Sequence, residues 1–177
     1  DRGHNIYIAG SFNGTCDFDP APNVDYSLTA TPAGSSSDVF VLKLDSNGTF
    51  QWAKAWGWTN NDLATSMTVD DLGNVYTTGN FGILVDFDPG PGTYNIRSNV
   101  NGSDAFLSKL DTNGNFVWAK SFGGPWEDSA RSLGIDRSGN LLLTGYISDT
   151  ADFVSGPGTY NITSTGANGA CLLKLAQ

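Results

Sequence analysis

Paired aspartates are the residues of this sequence best suited to chemistry. Asp17 and Asp19 stand in the run Asp-Phe-Asp-Pro, and Asp86 and Asp88 stand in the run Asp-Phe-Asp-Pro-Gly. At this spacing two carboxylates can face one hard cation while backbone carbonyls add oxygens, and Ca²⁺ prefers about six to eight oxygen ligands. The pattern therefore predicts calcium as the one candidate cofactor, bound at Asp17, Asp19, Asp86 and Asp88.

A third loop resembles these two but has lost its second carboxylate. It reads Asp-Phe-Val-Ser-Gly from Asp152, so Val154 replaces the second aspartate and we expect weak calcium binding or none. A structural interpretation competes with the calcium site in all three loops. The first aspartate would cap a turn, the phenylalanine would fill space between sheets, and Pro-Gly would set the backbone angles. The sequence leaves both interpretations open.

Three tryptophans, Trp56, Trp58 and Trp126, lie near the ends of segments that we interpret as strands. Aromatic rings exposed at such places can stack on the apolar faces of sugars. These residues are the candidate ligand-binding residues of a lectin-like protein, with surface glycans as the partner.

Acid–base catalysis by two carboxylates would have to use the aspartates, because Glu127 is the only glutamate. The candidates are Asp62 and Asp128, which would serve a polysaccharide lyase or a glycosidase. No pair of acids departs from the pattern of the repeats, however, and His4 is the only histidine, so no Ser-His-Asp triad can form within the chain. We therefore expect no catalytic residues and no enzyme.

These side chains are carried by a sequence repeat. Trp52 and Trp118 are 66 positions apart, as are Lys43 and Lys109, and related segments begin at Asn5, Asn74 and Asn140. Three copies of about 66 residues account for the chain. Lysines that recur within the repeat are expected to lay their stems on a neighbouring strand and to reach water or an acid such as Asp62 or Asp128.

Short alternating runs bounded by turn residues predict four antiparallel strands, A to D, in the complete middle copy. They cover residues 64–69, 74–81, 104–110 and 116–122. Strand C is apolar on both faces, which is typical of a β-propeller blade packed between two neighbours. The predicted blades are 1–61 with strands B, C and D, 62–127 with all four, and 128–177 with A, B and C.

The segments D-x-x-G-N-x-Y-x-x-G, D-A-F-L-x-K-L-D and F-x-W-A-K-x-F-G-G resemble the seven-bladed β-propeller repeats (SBBP-type) of secreted and surface bacterial proteins. The V-D-F-D-P-G-P-G-T-Y-N loop from Val85 resembles a variety of those repeats found in large extracellular proteins. The resemblance covers nearly the entire chain. It implies an all-β propeller fold and an extracellular or cell-surface location, but it implies little about function.

Charge and hydropathy narrow the range of partners. The formal charge is −9, from 18 acidic and 9 basic residues, which argues against nucleic acid and anionic membrane surfaces. No apolar run approaches the roughly 20 residues that span a bilayer, so no membrane insertion is expected. Because the sequence begins with Asp1 rather than Met, we expect a processed product or a fragment.

Ten main strands do not complete three blades, so the sequence predicts an open arc or part of a larger or composite ring. Two explanations remain open: further blades of the same polypeptide, or self-association into a ring or filament. Both lead to one hypothesis, a non-enzymatic extracellular structural or interaction module of an adhesin, surface layer or filament, stabilised by calcium. The carbohydrate-binding propeller and the carbohydrate-active enzyme are its rivals.

Overall fold

The computed structural model describes residues 1–32, 34–99, 102–154, 158–166 and 168–176, which form β-strands and turns and no helix. The strands are β1 (Ile6–Asn13), β2 (Thr15–Asp17), β3 (Ser27–Thr29), β4 (Ser37–Leu44), β5 (Phe50–Trp56), β6 (Leu63–Val69), β7 (Val75–Gly82), β8 (Leu84–Asp86), β9 (Asn95–Arg97), β10 (Ser103–Leu110), β11 (Phe116–Phe122), β12 (Ser129–Ile135), β13 (Leu141–Ile147), β14 (Thr150–Asp152), β15 (Asn161–Thr163) and β16 (Gly169–Leu175).

Three antiparallel sheets form the body of the chain. Their strand orders are β1-β4-β5, β6-β7-β10-β11 and β12-β13-β16. The same register recurs between sheets, since Lys43 pairs with Trp52 in the first and Lys109 pairs with Trp118 in the second. The prediction of an all-β fold made of small antiparallel sheets is confirmed, and the four strands predicted for the middle copy correspond to β6, β7, β10 and β11.

Aspartates fix the tight turns between the main strands. In the turn between β10 and β11, Oδ1 of Asp111 accepts hydrogen bonds from the backbone N–H of Asn113 (2.8 Å) and of Asn115 (2.9 Å). Gly114 in the same turn has a φ of 78°, which glycine adopts without steric cost. The Asp-x-Asn-Gly sequence therefore dictates the turn through a side-chain cap and a permissive residue.

Three two-stranded hairpins, β2-β3, β8-β9 and β14-β15, occupy the long connections between strands B and C. The sequence analysis treated these connections as loops and missed the hairpins. Each hairpin pairs only three residues per strand, as in Val85 with Ile96. Such short pairings, which begin and end in polar residues, carry little alternation for a sequence pattern to show.

The hydrophobic core lies mainly between sheets. One cluster joins Val41 and Trp56 of the first sheet to Val75 and Phe106 of the second, and a second cluster joins Leu107 and Phe122 to strands of the third sheet. Each junction buries one face of two sheets, as stacked propeller blades do.

The sheets form an open arc within the described part of the chain. No strand of the first sheet pairs with a strand of the third, and β1, β5, β12 and β16 are outer strands of their sheets. No helix long and apolar enough to cross a membrane occurs among the described residues.

Candidate functional site

The first aspartate of each paired-aspartate loop caps its own hairpin. Oδ1 of Asp17 accepts hydrogen bonds from the backbone N–H of Asp19 (3.0 Å) and of Tyr26 (2.9 Å). The same two bonds recur in the other copies, from Asp88 and Tyr94 to Asp86 and from Val154 and Tyr160 to Asp152. The structural interpretation of the first aspartate is thus visible in its hydrogen bonds.

The second aspartate caps the next turn. Oδ1 of Asp19 accepts the backbone N–H of Ala21 (2.9 Å), and Oδ1 of Asp88 accepts that of Gly90 (2.8 Å). Among the described residues no group of three or more His, Cys, Asp and Glu side chains is arranged to hold a metal. A calcium site at Asp17, Asp19, Asp86 and Asp88 would have to use the remaining carboxylate oxygens with backbone carbonyls, and it stays a prediction. In the third loop Ser155 and Gly156 lie outside the described residues.

The phenylalanine between the paired aspartates packs into the core. Phe87 is buried and lies edge-on to Phe81, with ring centroids 5.3 Å apart. Phe18 makes the equivalent contact with Phe12, and Phe153 stacks on Phe122. These rings anchor each hairpin to the main sheets and so fix where the aspartates stand.

The three candidate tryptophans have different environments. Trp56 has only 4% of its surface exposed and belongs to the cluster between the first two sheets, so the prediction that it stacks on a sugar is wrong. Phe122 is its equivalent in the next repeat, and a large apolar ring there serves packing. Trp58 and Trp126 are exposed to 47% and 52% and stay candidates for ligand binding.

Two polar clefts lie at equivalent places beside the first and second junctions between sheets. The first, of about 750 Å³, is lined mainly by amide and hydroxyl side chains, including Asn60, Asn61 and Asn80. The second, of about 600 Å³, is lined by Trp126, Glu127, Ser148, Asp149, Ser164, Thr165 and Gly166. Trp126 occupies the repeat position of Asn60, so only the second cleft offers an aromatic ring.

Asp62 and Asp128, the candidates for an enzyme, are buried at separate junctions. The oxygens of Asp62 accept the backbone N–H of Trp58 (2.8 Å) and of Gly82 (3.1 Å), and those of Asp128 accept the equivalent groups of Gly124 and Ser148. Each carboxylate ties the end of one sheet to the second strand of the next. Neither faces solvent, where a substrate would approach.

Each of these aspartates has a buried acidic neighbour that the sequence analysis missed. Asp38 lies near Asp62 and Asp104 lies near Asp128, and both neighbours are about 97% buried. One oxygen of each, Oδ1, finds no hydrogen-bond partner among the described residues. The recurrence of Ser-Asp-x-Phe at the start of strand C, 66 positions apart, was the available signal.

Burial makes these carboxyl groups weak acids. Desolvation raises the pKa of Asp38 to about 6 and the pKa values of Asp62 and Asp104 to about 7, although backbone hydrogen bonds oppose the change. Desolvation also raises the pKa of Asp128. The charge of Asp38 adds to the effect on Asp62, and that of Asp128 adds to the effect on Asp104. Each pair therefore disfavours two negative charges.

The recurring lysines do not reach Asp62 or Asp128 as the sequence suggested. Lys43 donates from Nζ to the carbonyl oxygen of Thr112 (3.0 Å), and Lys174 donates to Oδ2 of Asp136 (2.8 Å). The prediction failed because both aspartates are capped at the opposite end of strand C from these lysines.

The two end sheets present open apolar faces. Leu107 of β10 is fully buried against the third sheet, whereas Leu172, its repeat equivalent in β16, is 70% exposed. At the other end Ile6 and Ile8 of β1 are 43% and 42% exposed, whereas Val75, the repeat equivalent of Ile6, is fully buried. The faces that bury a neighbour inside the chain are thus repeated at both ends without one.

Comparison with known proteins gives limited similarities. Residues 88–124 match the sperm-tail PG-rich repeat. Over 136 residues, 77% of this chain, the sequence is 30% identical to the regulatory protein FlaEY of Caulobacter vibrioides. Over 142 residues, 72% of the chain, it is 25% identical to an uncharacterized WD repeat-containing protein of Acanthamoeba polyphaga mimivirus.

The chain spans a small part of these relatives, 14% of the first and 9% of the second. The specific bacterial seven-bladed family named in the sequence analysis therefore stays a prediction. The repeat matches agree with the recurring sheets, registers and caps of the structure. The chain is accordingly similar to repeat proteins and carries propeller-like blades.

Proposed function

We propose that this chain is a non-enzymatic protein-interaction module that associates through the open faces of its first and last sheets. The observation that carries the proposal is the contrast between Leu107, which is buried, and its repeat equivalent Leu172, which is 70% exposed. The same sequence position buries an apolar side chain wherever another sheet follows. An apolar face of this kind marks a surface for a partner.

Unpaired strand edges strengthen the proposal. β16 has no partner on its outer side, and β1 has none on the side where β6 pairs with β7 in the middle sheet. Backbone N–H and C=O groups on such edges pair readily with another strand. In the absence of its natural partner, the chain should therefore pair with copies of itself.

The nature and place of the partner follow from the similarities. The name of the mimiviral relative records WD repeats, which supports a protein partner for this chain. The resemblance to repeats of secreted and surface bacterial proteins supports a location outside the cell, as part of an adhesin, a surface layer or a filament. Detection of the native protein on intact cells by surface labelling would test the location.

Size-exclusion chromatography with light scattering tests association directly. We expect the purified chain to exceed its monomer mass of 18.7 kDa increasingly as concentration rises. Combining Ile8→Lys with Leu172→Lys should restore the monomer, because charges on an open face oppose pairing. Replacing the exposed Leu72, which lies in a turn, with lysine is the matched control and should leave association unchanged. A monomer at every concentration would contradict the proposal.

Carbohydrate binding is the second candidate, and the exposed ring of Trp126 in the second cleft favours it. Hydroxyl groups of Ser148, Ser164 and Thr165 line the same cleft and could hydrogen-bond a sugar stacked on the ring. A glycan array probed with the wild type and with Trp126→Ala tests this candidate. Signals that disappear in the variant would support it, and silence of both proteins would remove it.

A further inference from the structure

A turn of the second sheet is gripped by the first sheet. The carbonyl oxygen of Thr112, between β10 and β11, accepts hydrogen bonds from Nζ of Lys43 (3.0 Å) and from Nε1 of Trp52 (3.1 Å). Lys43 also lies over the ring of Tyr7, with Nζ 5.4 Å from the centroid. We call the surface formed by Lys43, Trp52 and Lys54 the first turn socket.

The fit of this turn depends on its shape. A Cβ on Gly114 would stand 3.0 Å from the Trp52 ring and 3.1 Å from Cε of Lys54, so glycine brings the turn close to the socket. The ammonium of Lys54 also interacts with the carboxylate of Asp111 at the start of the turn. Shape, charge and two hydrogen bonds thus select an Asp-x-Asn-Gly turn whose second carbonyl points at the socket.

The next repeat builds the same socket and leaves it open. Lys109, Trp118 and Lys120 are the repeat equivalents of the three socket residues, and they line a cavity of about 230 Å³. Leu141, Leu175 and Ala176 of the third sheet complete its wall. Lys109 lies over the ring of Tyr76 at 5.1 Å, as Lys43 lies over Tyr7, but no acceptor for Lys109 Nζ or Trp118 Nε1 is found among the described residues.

The strand that should follow a turn in this socket also has an unused place. In the second sheet β11 follows the turn and pairs with β10 from Ala105 with Phe122 to Leu110 with Phe116. In the third sheet β16 is the equivalent of β10, and its outer edge is unpaired in the described part of the chain. Socket and edge are continuous, so one turn with its strand would occupy both.

We propose that the second turn socket and the outer edge of β16 together bind a partner segment made of an Asp-x-Asn-Gly turn followed by an extended strand with alternating apolar residues. The proposal deepens the proposed function, on which it rests, by naming the segment that the last sheet takes. A second folded copy of this chain is a poor source, because its two strands of this kind, β5 and β11, already pair with β4 and β10.

A synthetic peptide with the sequence of residues 111–122 is the probe. We expect it to bind the purified chain with one-to-one stoichiometry in titration calorimetry, and to slow amide hydrogen exchange along β16. The variant Lys109→Met keeps the aliphatic stem but loses the donor, so it should weaken binding about tenfold, as the loss of a charge-assisted hydrogen bond does. Lys43→Met, at the occupied socket, is the matched control and should leave peptide binding unchanged.

A second pair of measurements guards against a binding mode that ignores the socket. Trp118→Ala should abolish binding while hydrogen exchange of β7 and β10 shows an intact second sheet. A peptide with alanine at the position of Gly114 should bind more weakly than the parent. Binding that survives both Lys109→Met and Trp118→Ala, or a parent peptide that does not bind, would overturn the socket.

Light scattering separates this proposal from the broader one. If the chain associates but the peptide does not bind, the socket is wrong and association through open faces stands. If the chain stays monomeric and the peptide does not bind, both proposals fail.

Discussion

Asp104 and Asp128 approach the same point beside Gly123. Oδ1 of Asp104 stands 2.6 Å, and Oδ2 of Asp128 stands 2.9 Å, from the position that a Cβ would take on Gly123. The two carboxyl groups are buried and face each other across a residue without a side chain. Asp38 and Asp62 are placed equivalently one repeat earlier, with Gly57 beside Asp38. Two predictions follow from this arrangement.

The first prediction concerns pH. The pKa of Asp104 in the folded chain is about 7, above its ordinary value of 3.8, so the folded state binds the proton more tightly than the unfolded state. The resulting stabilisation is complete below the unfolded pKa and is lost as pH rises through about 7. We therefore expect the melting temperature to fall between about pH 5.5 and about pH 8, by a few degrees for each ~1 kcal/mol lost.

Substitutions isolate the contribution of the pair to this pH dependence. Asp104→Asn should flatten the curve and raise the melting temperature at the alkaline end, because it removes the buried charge. Asp149→Asn changes an exposed aspartate with a positive φ that asparagine tolerates, so it controls for the general effect of net charge. Parallel curves for the wild type and Asp104→Asn, measured by circular dichroism, would show that the pair is not responsible.

The second prediction concerns Gly123 itself. Gly123→Ala would force a methyl group against both carboxyl groups, and overpacking of this kind costs about 1–3 kcal/mol. Gly134→Ala in β12 is the matched control, because a Cβ there meets nothing within 4 Å. Urea denaturation of the two variants measures the difference in the free energy of unfolding. Equal stabilities would mean that the carboxyl pair moves aside without cost.

The third prediction compares two leucines at the same repeat position. Leu107→Ala should lower the free energy of unfolding by about 2–5 kcal/mol, because it removes a fully buried side chain at the second junction. Leu172→Ala should change it by less than about 0.5 kcal/mol in dilute solution, where the side chain is mostly exposed. A large loss in dilute Leu172→Ala would mean that this face is already covered in the isolated chain.

The fourth prediction tests calcium at the paired-aspartate loops. If the loops bind calcium, a chelator should lower the melting temperature and added calcium should restore it. Asp86→Asn combined with Asp88→Asn should remove the response and keep the caps, since asparagine retains an oxygen for the N–H groups of Tyr94 and Gly90. Alanine would remove the caps as well and confuse the two effects. A melting curve that ignores the chelator would exclude a stabilising calcium ion.

Sequence periodicity predicted the main strands because their alternation and their Asp-Gly turns are local properties. The register of β6 with β7 and of β10 with β11 follows from those turns. Exposure was harder to predict, because it depends on the neighbouring sheet. Trp56 and Trp58 are two residues apart, yet one is buried at a junction and the other is 47% exposed. The carboxyl pairs were missed for the same reason, since Asp38 and Asp62 meet only when strand C of one sheet contacts the segment that enters the next.

The position of the core has a consequence for how the chain folds. Because the large apolar clusters lie between sheets, one sheet alone buries little of its apolar surface, and its stability depends on its neighbour. The cooperative unit of folding is then a pair of adjacent sheets rather than a single repeat. A chain cut within the segment 57–62 would lose a whole folding unit, whereas a cut in a hairpin tip would leave both junctions in place.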